Sequence, residues 1–405
     1  IQECPHWTAE VEEIAGTVLR RTAVAAWHVS HAAMILAVEQ PDVALRLVRA
    51  KFDFLLSEAK GRPEPPPFPA AGSEDEKTAW YVRHDGTKPL KDLLDSAEWD
   101  DIPSLAEAAP ATFLQTCWPW YVSVFTEIIA RKDNEGVGYI YPGRNVLEIE
   151  VAPSETRSAS RERPVISAIQ VAIEELAEKS QEQFLEWADT NSSLAILAVQ
   201  QLIARGYEVA ADQLASKALE WLLLDPRRFQ LGTAYGHRST TIDLLRACAR
   251  TWSSQEMARF ENAVLSYRPD VPAHLKEPEQ RKMFADLVRA TRKDLLQAVG
   301  IERLTPENRE LVATEQRALG NRFDWSIRMG EGGFIGSPMD AAAMTKAKDR
   351  DILGIFREIP DNSDWDHPKH WSRGGNIQLS RSFAEFARAN PDRATRLVEQ
   401  FEPLQ

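Results

Sequence analysis

Apolar residues recur along most of the chain at intervals of three and four, which is the spacing of one face of an α-helix. The pattern is clearest over 209–224, where the apolar positions include Ala211, Leu214, Ala215, Ala218, Leu219 and Leu222. The same periodicity predicts helices within 8–60 and over 112–130, 193–204, 240–251, 254–267, 280–299, 306–319, 378–389 and 392–401. Gly206 and the Asp225-Pro226 pair are expected to end the helices that precede them.

Two stretches interrupt this pattern. Residues 61–79 open with five prolines in the run GRPEPPPFP, and prolines lack the backbone donor that a helix needs. Over 138–150 the residues alternate around Pro142-Gly143, which predicts a small β-hairpin. The breaks divide the chain into N-terminal helices (1–60), a proline-rich loop (61–79), an aromatic-rich helical region (80–163) and a helical-repeat array (164–405).

The turns between the later helices are short. Asn390-Pro391 is expected to supply an N-cap and a proline at the first helical position, so the helices on either side lie antiparallel. A chain of 405 residues is too long for one ordinary core, which favours stacking of helix pairs. We therefore predict an all-α fold, an elongated α-solenoid of irregular helix pairs similar to HEAT or tetratricopeptide repeats, although no strict period recurs.

Charge and composition exclude several classes of protein. With 48 basic and 61 acidic residues the net charge is -13, which argues against nonspecific binding to nucleic acid. The three cysteines are far apart and form no CxxC pair, which favours a reducing cytoplasm over a disulfide framework. No apolar run is long enough for a membrane span. Because the chain begins without methionine, we interpret it as an internal fragment of a larger protein.

Several phrases resemble a known family when they are taken together. They are LLDPRRFQLG at 223–232, GGFIGSP at 332–338, GGNIQLS at 374–380, FAEFA at 383–387 and NPDR at 390–393. Their order and spacing resemble the C-terminal helical regions of large bacterial STAND (NACHT-like) NTPases of the antiviral STAND, or AVAST, kind. The resemblance covers roughly 164–405, and none of its phrases identifies a ligand-binding residue.

That resemblance implies a sensor. In such proteins a C-terminal repeat region recognises a phage protein and relays this event to a nucleotide-binding module and an effector. The present chain has no GxxxxGK[ST] motif, so we expect that module to lie elsewhere in the parent chain. The implied partners are a phage protein and the remainder of the parent chain, through which homo-oligomers could form.

Three other groups of residues resemble part of a phosphate-binding, metal-binding or catalytic site, but each lacks a feature that such a site needs. The glycine-rich 330–336 does not follow a strand, as a phosphate-binding loop should. A proline between His367 and His370 breaks the helix on which two metal ligands would align. In 232–237, Tyr235 stands where a nucleophile would be expected. We therefore predict no catalytic residue, no cofactor and no metal, and we expect the chain itself not to be an enzyme.

The loop between two predicted helices near 225–240 is the candidate protein-binding site. Arginine and tyrosine are favoured at binding hot spots, and the loops of helical arrays often carry recognition. The candidate residues are Arg227, Arg228, Tyr235, His237 and Arg238. In the alternative interpretation, these arginines cap helix ends or pair with Asp225 and Asp243.

Two further functions remain open. One is an oligomerisation or spacer arm without ligand sensing. The other is a cryptic hydrolase or nuclease in the first 160 residues, for which Glu148 and Glu150 on the predicted hairpin are the acidic candidates. Recognition of a protein partner is the function that the repeat pattern and the resemblance favour.

Overall fold

The computed structural model describes residues 8–22, 24–61, 73, 87–131, 140–142, 163–232, 238–319, 339, 341–358 and 376–401. Every regular element within these ranges is helical, which confirms the predicted all-α class. Most of the predicted hairpin, at 138–139 and 143–150, lies outside the described residues. The short piece between them, 140–142, is neither helix nor strand.

The described residues form eighteen α-helices. The first six are α1 (Ala9–Arg21), α2 (Ala26–Ala37), α3 (Pro41–Lys60), α4 (Lys88–Leu94), α5 (Ile102–Ala108) and α6 (Pro110–Arg131). The next eight are α7 (Pro164–Lys179), α8 (Gln181–Asn191), α9 (Leu197–Val209), α10 (Ala211–Leu224), α11 (Ser239–Cys248), α12 (Ser254–Ser266), α13 (Pro278–Ala298) and α14 (Pro306–Leu319). The last four are α15 (Ala341–Lys346), α16 (Asp349–Glu358), α17 (Asn376–Ala389) and α18 (Pro391–Val398).

The N-terminal helices pack around α3, which contacts α1, α2, α4 and α6. An aromatic cluster fills this region: the Phe52 ring stacks on Trp120 at 4.2 Å between centroids and meets the edge of Trp99 at 4.8 Å. The Trp120 indole N–H donates to the carbonyl of Phe52 at 2.8 Å, and Tyr121 donates to the carbonyl of Val165 at 2.5 Å. These large side chains are therefore buried with their polar ends satisfied.

From α7 onward the helices pack in a regular order. Helix α7 contacts both α8 and α9, α9 contacts both α10 and α11, and α10 contacts both α11 and α12. Helix α13 in turn contacts α11, α12 and α14. One continuous apolar core joins these helices to the N-terminal group, because each helix buries its apolar face against a neighbour in sequence and against the next one.

Gly206 does not end a helix, contrary to the sequence prediction, because α9 continues to Val209. A Cβ atom at this position would lie 2.2 Å from Cε2 of Phe184, whose ring is fully buried. The glycine therefore permits the close approach of α8 to α9. Its role is in packing and not in chain termination.

The chain forms two compact units, 1–326 and 327–405. The second unit has its own small core around Phe386 and Leu397. Asn390 separates α17 from α18, and Pro391 stands at the start of α18, as predicted. However, the Asn390 side chain does not cap α18. It donates to the carbonyl of Phe386 at 3.2 Å and so satisfies the end of α17.

Candidate functional site

The short 3-10 helix Pro226–Gln230 holds two of the predicted binding residues, and Asp225 caps its start. The Asp225 carboxylate accepts the backbone N–H of Arg227 at 2.9 Å and pairs with its guanidinium at 2.7 Å. The same guanidinium lies over the ring of Tyr141 at 4.3 Å, and Tyr141 donates its hydroxyl to Asp225 at 2.6 Å. These three side chains form a closed local group that holds Arg227 partly exposed, at 31% of its side chain.

The pKa values of this group follow its geometry. Burial alone would raise the pKa of Asp225, but hydrogen bonds from Arg227 and Tyr141 lower it below its ordinary value. For Tyr141, burial and then the hydrogen bond to the Asp225 carboxylate raise the pKa well above its usual range. The group therefore keeps a carboxylate, a guanidinium and a neutral phenol at neutral pH.

Arg228 faces inward and is only 3% exposed. Its Nε donates to Gln200 at 3.0 Å, its Nη2 donates to the carbonyl of Ser192 at 2.9 Å, and its Nη1 donates to the carbonyl of Trp221. The Trp221 carbonyl belongs to the last turn of α10, so this contact is the helix-capping role of the alternative interpretation. Each of the three guanidinium nitrogens makes a hydrogen bond within the fold, and burial keeps Arg228 away from a partner.

Arg238 is also interior, at 1% exposure, and it adopts a left-handed backbone conformation with φ of 74°. Its guanidinium pairs with Asp294 at 2.5 Å and donates to Thr291 at 3.3 Å, so it ties the start of α11 to α13. The pairing of arginines with Asp225 and Asp243 is confirmed only for Arg227, because Asp243 pairs with Arg246 instead. Tyr235 and His237 lie outside the described residues. Of the predicted site, Arg227 is the described member that remains accessible.

Arg227 lines a cavity of about 340 Å³ between the end of α10 and the end of α12. Most of its lining is apolar, with Arg227 on one side and Arg268 on the other. The apolar residues of the lining are Leu223, Pro226, Phe229, Ala263 and Pro269. This apolar cavity is the right size for a single side chain or a small ligand.

A second cavity of about 250 Å³ lies between the end of α12, α13 and α14, and Arg268 lines it as well. Its other cations come from α13, at the three- and four-residue spacing of one helix face. They are Arg289, Arg292 and Lys293. The chain therefore places an apolar cavity beside a cationic cavity, with Arg268 common to both.

The local sequence of α12 fixes this arrangement. Its first turn is closed by a capping box, in which Ser253 accepts from the backbone of Glu256 at 3.3 Å and Glu256 accepts from the backbone of Ser253 at 2.8 Å. Its last turn ends at Ser266, after which Arg268 donates back to the carbonyls of Leu265 and Tyr267 at 2.6 and 2.9 Å. Both ends of the helix are thus held by hydrogen bonds, which fixes where Arg268 sits.

The binding site predicted from the sequence did not include Arg268, Arg289, Arg292 and Lys293. The signal that could have found part of this set is the clustering of three cations on one face of the predicted helix 280–299. Its significance depends on the neighbouring end of α12, which no local pattern identifies. Among the described residues no three metal-ligating side chains come together, and the residues 330–336, His367 and His370 lie outside them.

We compared the chain with known protein families, with curated proteins and with solved structures, and none of the three comparisons found a match. Within the described part of the chain, no helix combines the length and the apolar character that crossing a membrane requires.

Proposed function

We propose that the chain is a protein-recognition segment, built as an α-solenoid of irregular helix pairs, and that it is the sensor region of a bacterial antiphage STAND-type NTPase. The packing order from α7 to α14 supports the first part. Helices α7, α9, α11 and α13 contact one another in succession, while α10 and α12 make a parallel set of contacts. Stacked helix pairs produce this order, because each repeat contacts only its neighbours. The resemblance of 164–405 to such sensor regions supports the second part.

The observation that carries the recognition proposal is the adjacency of the apolar cavity and the cationic cavity. The apolar cavity can bury one hydrophobic side chain, which contributes about 1.5–3 kcal/mol when a Leu- or Phe-sized group leaves water. Arg227 and Arg268 flank it and supply the guanidinium groups that are enriched at binding hot spots. We therefore assign the occupant as a protein segment that presents an apolar side chain next to an acidic one.

Charge complementarity favours an acidic partner at this place. The chain as a whole carries a net charge of -13 and repels other acidic proteins over most of its surface. A local group of exposed or half-buried cations would select the orientation in which an acidic segment can approach. The proposed role is binding, and it needs no catalytic side chain.

The test uses the full chain and candidate phage proteins, co-expressed and recovered by pull-down. Ser266 lines the apolar cavity and is exposed, so Ser266→Trp blocks the cavity without disturbing the core. Ser254→Trp is the matched control, because Ser254 is exposed at the opposite end of the same helix. We expect Ser266→Trp to weaken capture of the partner at least tenfold and Ser254→Trp to leave it unchanged.

A charge reversal tests the cationic side of the surface. Arg268→Glu should abolish capture, because it places a carboxylate where the acidic partner approaches. Arg246→Glu is its control, since Arg246 is an exposed arginine of α11 outside both cavities. If the wild-type chain, Ser266→Trp and Arg268→Glu captured the partner equally well, this surface would not be the binding site. Failure of every candidate phage protein to bind the full-length parent would count against sensing itself.

The assembly-arm alternative also has an observation in its favour. Helices α1 and α2 both pack on α3, yet they leave large apolar side chains exposed. These are Ile14 and Val18 in α1, Trp27 and Ile35 in α2, and Val38 directly after α2, with exposures of 66, 45, 55, 48 and 86%. Where exposed apolar residues form one contiguous patch, another protein often covers it.

Sedimentation velocity over a range of concentrations distinguishes the two functions. Self-association that Trp27→Lys abolishes, in the absence of any foreign protein, would favour an arm that joins two copies of the chain. A monomer at all concentrations would leave recognition as the better proposal. Leu224→Lys is a matched control, because Leu224 is an exposed apolar residue, at 78%, that lies in α10.

A further inference from the structure

The cationic cavity contains two arginines that share one acceptor. Arg292 donates to the carbonyl oxygen of Tyr267 through both Nε and Nη2, at 3.0 and 2.6 Å. Arg268 donates to the same oxygen through Nη1 at 2.9 Å. Two guanidinium groups therefore converge on one neutral oxygen atom at the end of α12.

These two arginines also keep unused donors. A guanidinium has five N–H groups. Among the described residues, Nη1 of Arg292 and both Nε and Nη2 of Arg268 have no hydrogen-bond partner, and neither side chain has an acidic partner within ion-pair distance. The other two cations of the cavity differ in this respect, because Arg289 pairs with Asp286 and Glu315 and Lys293 pairs with Asp294.

Capping of α12 does not account for both arginines. The C-terminal end of a helix carries about half of a negative charge, so a single cation is more than enough to balance it. The second guanidinium adds repulsion: burial and then the proximity of Arg268 lower the pKa of Arg292, and Glu315, which also lines the cavity, offsets part of this effect. A bound anion would relieve the repulsion that remains between the two guanidinium groups.

The charge balance around the cavity points in the same direction. Its four cations and the neighbouring Arg238, which shares Asp294 with Lys293, make five positive charges. The carboxylates paired with them within the described residues are Asp286, Asp294 and Glu315. The local surplus is two positive charges, in a chain whose net charge is -13.

We propose that the cationic cavity binds a phosphate group, held by the unused donors of Arg268 and Arg292. A phosphate carries up to two negative charges and accepts the paired N–H groups of a guanidinium in bidentate geometry. The ligand is either inorganic phosphate or the phosphate of a small monoester. This site goes beyond the recognition of a protein partner. It shares Arg268 with the proposed partner-binding surface, but phosphate binding is measured with no partner present, so the two proposals can fail separately.

Isothermal titration of the full chain with inorganic phosphate at pH 7 tests the site. We expect saturable binding of one phosphate by the wild-type chain, weakened at least tenfold by Arg292→Gln and by Arg268→Gln. Arg246→Gln is the control, because Arg246 is exposed and is not among the lining residues of the cavity, and this variant should bind like the wild type. Glycerol phosphate forms the second arm. If glycerol phosphate binds more tightly than inorganic phosphate, the ligand is a phosphate monoester. If glycerol phosphate binds more weakly, the ligand is the free phosphate ion.

Folding of the variants is checked separately. Arg292→Gln removes two hydrogen bonds to Tyr267, whereas Arg268 is exposed, so Arg268→Gln keeps the test valid if the first variant misfolds. Phosphate should raise the melting temperature of the wild type more than that of Arg268→Gln, because the general salt effect is common to both. Absence of saturable phosphate binding, equal affinity in the variants, or acetate binding as tight as phosphate binding would each overturn the proposal.

Discussion

Gly206→Ala should destabilise the chain, although alanine is the better helix former. In the interior of a helix, this substitution ordinarily stabilises by about 1 kcal/mol. Here the new Cβ would lie 2.2 Å from Cε2 and 2.6 Å from Cζ of Phe184. These distances are far inside the ~3.5–4.0 Å at which carbon atoms normally rest. The local clash therefore opposes the gain in helix propensity.

The Phe184 ring has no room to move away. It is fully buried, Tyr207 meets it edge-on at 5.2 Å between ring centroids, and the Trp187 ring lies 6.4 Å away. Forcing additional volume into a packed core costs about 1–3 kcal/mol, and the short distance places this case at the upper end. After subtraction of the propensity gain, we expect a net loss of about 2 kcal/mol.

Urea unfolding of the full chain, followed by circular dichroism, measures the effect, and hydrogen exchange in α8 and α9 shows where it acts. Gly16→Ala in α1 is the matched control, because its nearest atoms are the flexible end of Arg20 at 3.4 Å, so this variant should be stabilised. Phe184→Leu in the Gly206→Ala background should recover stability through a favourable coupling of about 1 kcal/mol or more. Stabilisation by Gly206→Ala equal to that of the control would refute the packing argument.

The remaining predictions concern buried polar groups. Arg205→Leu should cost about 3–5 kcal/mol in urea unfolding, because it removes the ion-pair partner of Glu174, which is 1% exposed, and Glu174→Leu in the same chain should restore part of the loss. Tyr141→Phe should cost about 1.5–3 kcal/mol at pH 7, because its hydroxyl donates to a charged carboxylate. Since the pKa of Asp225 is lowered, its contribution is present above its unfolded pKa near 3.9 and disappears as the pH falls through the lowered value, which acid titration of the wild type checks. Burial raises the pKa of Cys117 to about 12, so peptide mass spectrometry should find this thiol unlabelled by iodoacetamide at pH 8 until urea unfolds the chain.

Helix class and most helix positions could be predicted from the sequence, because amphipathic periodicity is a local property. The predicted segment 306–319 coincides with α14, and 280–299 differs from α13 by two residues at its start and one at its end. The error at Gly206 has a different origin. Glycine ends helices through its own conformational freedom, but it also admits a close neighbour, and the neighbour in this case is Phe184 from another helix.

The candidate site was harder to predict from the sequence, because the solvent exposure of an arginine depends on tertiary structure. Arg227 and Arg228 are adjacent in sequence and chemically identical, yet one is partly exposed and the other is buried. The direction of each depends on the 3-10 helix that follows Asp225, and on acceptors as distant in sequence as Ser192 and Gln200. No spacing rule within 225–238 separates the two roles.

To predict whether an arginine binds a ligand, the number of its N–H donors that hydrogen-bond within the fold is a better criterion than the number of arginines nearby. All three guanidinium nitrogens of Arg228 donate hydrogen bonds to acceptors within the core. Arg228 therefore fixes α10 and cannot bind a ligand without unfolding its surroundings. Arg268 uses a single nitrogen on two backbone carbonyls and leaves the other two unmatched within the described residues. The position of Arg268 next to Arg292 brings two guanidinium groups together, and the proposed anion would offset their repulsion beyond what the nearby Glu315 does. The shared edge of the two cavities, where arginine donors are unmatched within the described residues, is therefore where we expect an anion to bind.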